Sequence, residues 1–78
     1  MHTVYILKCS DSSTYVGRTS NLEERLKRHN KGEVSYTKSR LPFEVALTIN
    51  FPDRYKAFQF EKYLKSGSGR AFMLKRFV

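Results

Sequence analysis

Tryptophan is absent from this sequence, and cysteine occurs once, at Cys9. One thiol excludes an internal disulfide and any zinc site built on several cysteines. Cys9 therefore reads as a buried thiol of a reducing compartment. Two prolines and four glycines are too few for a linker or a low-complexity tract. No apolar run approaches the ~18 residues of a membrane span, and the amino end lacks the shape of a secretory signal. A cytoplasmic protein with no membrane association is expected. Negative charge is also scarce: seven acidic residues face fifteen lysines and arginines, giving +8 and a pI near 9.9. Such an excess points to a polyanion, most often nucleic acid.

What is present fits one small domain over residues 1–78. Eleven tyrosines and phenylalanines can close a core. "TVYILKC" (Thr3 to Cys9) has strand character, "SDSS" supplies a turn, and "TYVGRT" (Thr14 to Thr19) reads as the returning strand of a hairpin. Ser20 and Glu23 form a capping box, so a helix is predicted from there, with Gly32 placed to end it. "KGEVSYTKSRLP" (Lys31 to Pro42) reads as a polar, basic loop. "FEVALTINF" (Phe43 to Phe51) alternates, with Val45, Leu47, Ile49 and Phe51 on one face and Ala46, Thr48 and Asn50 on the other. Asp53 caps a second helix to about Lys65, "SGSG" (Ser66 to Gly69) breaks it, and a third covers Arg70 to Phe77. The expected fold is α+β, a three-stranded antiparallel sheet flanked by helices in the order ββαβαα.

Some residues fit this frame awkwardly. In "LEERLKRHN" (Leu22 to Asn30) the stripe marked by Leu22 and Leu26 also carries Arg25 and His29. Both are readable as polar rim residues. Functionally, arginine is the preferred bidentate partner of phosphate, and a histidine one turn on suits proton relay. In the next helix Ala57, Phe60 and Leu64 define the inward face, and Glu61 lies about 40° from Ala57 on that face. An inward carboxylate in a basic protein is either half of an internal salt bridge or a ligand for a hard cation beside phosphate. Tyr5 and Tyr15 share a sheet face if the hairpin loop is odd, for packing or for chemistry. Gly17 within a strand marks a close approach. A tyrosine pair, a cation, an imidazole and a carboxylate together make a set able to cleave phosphodiesters, with a metal.

These pieces resemble the GIY-YIG nuclease superfamily along essentially the whole chain. "TVY" (Thr3 to Tyr5) and "YVG" (Tyr15 to Gly17) stand where the family has its two name motifs. "LEERLKRHN" is similar to its helix, and "FQFEKYLKSGSGR" (Phe58 to Arg70) to the segment with its glutamate. Thr3 replaces the family's first glycine, and Ser66 to Gly69 stand where many members have a late asparagine. The length and "EKYLKSGSGR" resemble small stand-alone bacterial members and the amino-terminal nuclease module of the excision-repair incision subunit.

The resemblance implies a DNA endonuclease of repair or of branched and damaged structures. It makes Tyr5, Tyr15, Arg25, His29 and Glu61 catalytic, with Glu61 holding a single Mg²⁺ or Mn²⁺. These residues are expected to converge on one cleft above the sheet, with a tyrosinate from Tyr5 or Tyr15 activating water. Nucleic-acid contacts are expected from Gly17, Arg18, Lys27, Arg28, Lys31, Lys38, Arg40, Lys62, Lys65 and Arg70. No appended recognition domain is visible, so target specificity is expected to be low or supplied by a protein partner. The alternative reading is a catalytically weak nucleic-acid-binding module with the same fold.

Overall fold

A computed structural model describes residues 1–76 of the chain. Its central strand is β1 (His2–Cys9), paired antiparallel with β2 (Thr14–Thr19) on one side and β3 (Phe43–Phe51) on the other. β1 takes the centre because it alone is apolar on both faces. Val4 and Ile6 on one face, and Tyr5 and Leu7 on the other, are at most 1% exposed. Among the described residues four helices flank the sheet: α1 (Leu22–Asn30), α2 (Ser35–Lys38), α3 (Arg54–Leu64) and α4 (Gly67–Arg76). The fold is thus α+β with a three-stranded antiparallel sheet, as expected.

On one face Val4, Ile6 and Val16 meet Ala57 and Leu64 of α3 and Met73 of α4, with Ala46, Leu47, Phe51 and Phe60 packed around them. Partners across an antiparallel ladder share a face. The pairs Tyr5–Gly17, Leu7–Tyr15 and Leu7–Val45 therefore assign the opposite face, where His29 of α1 and Thr37 of α2 are fully buried.

Four local expectations are corrected. The first helix is capped by Asn21 and not Ser20: the Asn21 side chain accepts the Glu24 N–H at 3.1 Å. Asn21 is itself held by its own N–H to the Thr19 hydroxyl at 3.1 Å, which leaves Ser20 one residue short of the cap. The segment Lys31 to Pro42 contains the helical turn α2, so the order is ββααβαα. In β3, a register shift opposite Ile6 and Leu7 pairs them with Leu47 and Val45 and inserts Ala46 as an extra residue. Val45 is thereby turned to the face opposite Leu47, and Ala46 packs against the core.

Finally, "SGSG" starts a helix instead of only ending one. The Ser66 hydroxyl donates to the Tyr63 carbonyl at 2.6 Å and accepts the Gly69 N–H at 3.2 Å, capping α4 three residues before the predicted start. A Cβ on Gly69 would run into the Tyr63 carbonyl, so glycine is what lets α4 fold back against the end of α3. The expected end of this helix at Phe77 lies outside the described residues.

Candidate active site

α1 carries only two leucines, both half-buried, and its one fully buried side chain is His29. The predicted inward stripe is the observed one. His29 lies under the sheet with its ring edge-on to Tyr5, Tyr15 and Phe43, at centroid distances of 5.7, 5.0 and 5.8 Å. Both ring nitrogens are engaged: Nε2 is 2.9 Å from the Tyr5 hydroxyl and Nδ1 is 2.7 Å from Thr37 Oγ1. Tyr5 and Tyr15 share this face with ring centroids 6.1 Å apart. Tyr5 crosses β2 at Gly17, where a Cβ would overlap the phenol. That residue is a glycine because the tyrosine occupies its side-chain space.

The electrostatics follow from this burial. Tyr5 is pushed up to about 12, first by burial and then by the neighbouring Tyr15, against the opposing pull of the Arg25 guanidinium on its oxygen. His29 is pushed below its ordinary range, by burial and then by Arg25 and Arg28. At neutral pH the pair is a neutral phenol against a neutral imidazole, with Arg25 supplying the positive charge.

Glu61 stands apart from this group. Arg18 pairs with Val4 in the ladder and so lies on the α3 face, where its Nε meets Glu61 Oε1 at 3.1 Å. Lys65 Nζ holds the other carboxylate oxygen at 3.1 Å, and the Arg18 guanidinium rests on the Phe58 ring. The structure thus gathers Tyr5, Tyr15, Arg25 and His29 on one face, and puts Glu61 across β2 as the centre of the internal ion pairs that were its alternative reading. β2 is an outer strand, so the two faces meet at its free edge. A cavity of about 280 Å³ opens there, lined by Tyr15 and Tyr36 from one side and Leu64, Lys65, Arg70 and Met73 from the other. Tyr15 and Lys65, one of the two cations paired with Glu61, line the same opening.

One carboxylate is a sparse donor set, and no cluster of three or more acidic, histidine or cysteine ligands exists among the described residues. Such a set would suit a hard cation whose shell is completed by water and phosphate oxygens, once Glu61 is released from Arg18 and Lys65. It does not fit a cation caged by protein alone.

The expected nucleic-acid contacts are scattered in role. Lys31, Lys38, Lys62 and Arg70 are exposed, with no ion pair among the described residues. Lys27 and Arg28 reach Glu23 and Glu33. Arg40 is occupied structurally: it bonds Asp11 at 3.0 Å and the Tyr36 carbonyl at 2.6 Å, and it stacks on the Tyr36 ring. Lys62 lies on the outer face of α3, beside Tyr55, Phe58 and Tyr63. Three contributors escape a reading of the sequence: Thr37, Tyr36 and Phe43. Thr37 and Tyr36 sit on a single helical turn in a polar stretch, too short for any periodicity to mark one side as buried.

The chain matches the GIY-YIG catalytic domain over residues 1–75. A UPF0213 protein of Lactococcus lactis subsp. cremoris is 39% identical over 75 residues, spanning 95% of this chain and 76% of that one. A second, from Oceanobacillus iheyensis, is 46% identical over 65 residues, spanning 82% and 76%. The solution NMR structure of a UPF0213 protein from Bacillus halodurans superimposes with a TM-score of 0.61 at 35% identity, covering 95% of this chain and 82% of that one. With its two tyrosines on adjacent strands, the glycine that admits one of them and the arginine–histidine helix beneath, the chain belongs to the GIY-YIG family of nuclease-type catalytic domains.

Proposed function

We propose that the protein is a DNA endonuclease that hydrolyses phosphodiester bonds with the help of one Mg²⁺ or Mn²⁺, in repair or on branched or damaged structures. The observation that carries this reading is the Tyr5 hydroxyl, held 2.9 Å from a neutral imidazole and under the charge of the Arg25 guanidinium, beneath a glycine whose missing side chain makes room for the ring. A packing tyrosine needs none of these partners.

In the reaction, Tyr5, which has no exposed surface in the free protein, takes the proton of the attacking water once the bound strand opens a way to its hydroxyl, while its own proton moves to His29 Nε2. Burial keeps Tyr5 protonated until substrate is bound, so the resting site holds no tyrosinate. Arg25 stabilises charge on the Tyr5 oxygen and on the phosphoryl oxygens. Tyr15, half-buried at the mouth of the edge cavity, orients the backbone of the strand being cut. Glu61 would hold the divalent ion, which would supply positive charge to offset the charge developing on the phosphate. Arg18 and Lys65, partners of Glu61 in the free protein, are long cations suited to the flanking phosphates. Lys31, Lys38 and Arg70 add contacts to the polyanion, and a protein partner supplies target choice. The buried, unpaired Cys9 suits the reducing cytoplasm.

Purified protein incubated with plasmid, single-stranded and branched DNA, in Mg²⁺, Mn²⁺ or EDTA, tests the proposal. Metal-dependent nicking that is lost in Glu61→Gln and in Tyr5→Phe supports it. DNA binding with no cleavage of any of these substrates in either metal gives the protein to the binding-module alternative.

A further inference from the structure

Thr37 belongs to none of the motifs, lies on a turn that reads as loop, and has no exposed surface. Its Oγ1 is nonetheless 2.7 Å from His29 Nδ1, and its hydroxyl faces the Val34 carbonyl at 3.4 Å. Protons along this row are constrained by chemistry. The Arg25 guanidinium, whose charge acts on the Tyr5 oxygen, has only donors, so it offers N–H and cannot take the phenolic hydrogen. If Nε2 of His29 also carried a hydrogen, Tyr5 would face donors from two sides, and its own hydrogen would be left to turn toward Tyr15. With Nε2 bare, every group is satisfied: Tyr5 donates to Nε2, Nδ1–H donates to Thr37, and Thr37 donates to Val34. Among the described residues no buried side-chain polar atom lacks a partner, in keeping with such a row.

We propose that Thr37 is a positioning residue: its hydroxyl oxygen, by accepting the His29 Nδ1 hydrogen, fixes the imidazole tautomer that leaves Nε2 free to take the proton of Tyr5. The catalytic use rests on the nuclease reading above, whereas the tautomer does not. In the proton transfer the Tyr5 O–H bond breaks and an Nε2–H bond forms, giving an imidazolium still bonded to Thr37 and a phenolate facing Arg25. The phenolate takes a proton from the attacking water, and the imidazolium later returns its proton through Tyr5 to bulk water. The geometry also accounts for α2. Its single turn is tied to the β1–β2 loop by Arg40, which bonds the Tyr36 carbonyl and Asp11, and this holds Thr37 under the ring.

The test reads the imidazole directly. The chain has two histidines, His2 and His29, so long-range ¹H–¹⁵N correlation of the ¹⁵N-labelled protein assigns both rings. The parent is expected to show His29 hydrogenated at Nδ1 and bare at Nε2. Thr37→Val, which keeps the shape and removes the acceptor, is expected to shift the population toward Nε2–H, and Thr37→Ser to restore the parent spectrum. An Nε2–H tautomer in the parent overturns the proposal, as does a Val variant that keeps the parent's tautomer. Should the Val variant not fold, the parent spectrum decides alone. In cleavage, the Val variant is expected to lose on the order of 10- to 100-fold in kcat near neutral pH with KM little changed, with recovery in the Ser variant. A parent that shows the Nδ1–H tautomer but cleaves nothing sinks the nuclease reading and leaves the assignment of Thr37 standing.

Discussion

At the scale of single residues, the site is governed by how little water reaches it. Of the two histidines, His29 is the fully buried one. Arg25 and Arg28 oppose its protonation from its own helix, Tyr5 and Tyr15 face it from the sheet, and Thr37 meets it from α2. Its folded pKa lies below the ordinary ~6.5, so below that pH the unfolded chain binds the extra proton and folding weakens. Stability is therefore expected to be level above about pH 7 and to fall as pH drops below about 6.5. Urea melts of the parent and of His29→Gln across pH 5 to 8 measure this, and the Gln variant should lose the His29 part of the slope. Tyr5 has the reverse window: its raised pKa favours the folded state while the phenol is protonated, and that contribution is lost as pH rises above about 10. Gly17→Ala forces the Tyr5 phenol off its position. A loss of about 1–3 kcal/mol is expected, with a changed His29 ring spectrum, since Tyr5 then leaves Nε2.

At the scale of elements, ends and corners decide more than interiors. If Asn21 caps α1, Asn21→Ala should cost about 1 kcal/mol by denaturant melting, and Ser20→Ala close to nothing. The α3–α4 corner offers a sharper contrast between two glycines in one tetrapeptide. A methyl on Gly69 meets the backbone of Tyr63 and Leu64, which cannot yield without opening the corner, whereas one on Gly67 meets nothing within 4 Å. Gly69→Ala is expected to destabilise by at least about 1–3 kcal/mol. Gly67→Ala should be neutral or stabilise by up to about 1 kcal/mol, by restricting the unfolded chain.

For the whole molecule, charge sets the partner and ion pairs set which cations are available. Arg18, Lys27, Arg28, Arg40 and Lys65 are engaged in ion pairs, whereas Lys31, Lys38, Lys62 and Arg70, of the expected contacts, are without one among the described residues. With a few of these plus Arg18 or Lys65 on phosphates, log K for duplex DNA should fall with log salt at a slope of roughly −3 to −5. A flat response in a fluorescence titration would argue against a nucleic-acid role. Glu61→Gln tests the same balance from inside. Glu61 keeps 15% of its side chain exposed, and its partners Arg18 and Lys65 keep 31% and 55%, so both cations can turn to water when the carboxylate is lost. The variant should stay folded, with a stability loss of about 1 kcal/mol, and should bind DNA in EDTA at least as well as the parent.

Much of this was legible in the chain itself, for local reasons. Period-two and helical patterns depend on neighbouring residues, so the strands, the inward stripe of α1 and the buried flank of α3 follow from sequence. Arg25, His29 and Glu61 stood out because charge on an apolar stripe is visible without a fold. Contacts between distant segments were another matter. A one-residue bulge in β3 turned Val45 away from Leu47, and nothing within β3 marks where its ladder to β1 slips. Thr37 became the second partner of His29 only when α2 was pinned beneath the sheet, for hydrogen bonds saturate by geometry and carry no periodicity. The separation of Glu61 from the tyrosines was likewise decided in three dimensions. α3 packs on the opposite face of the sheet, and a helix's own pattern states which side is buried but not which face of the sheet receives it.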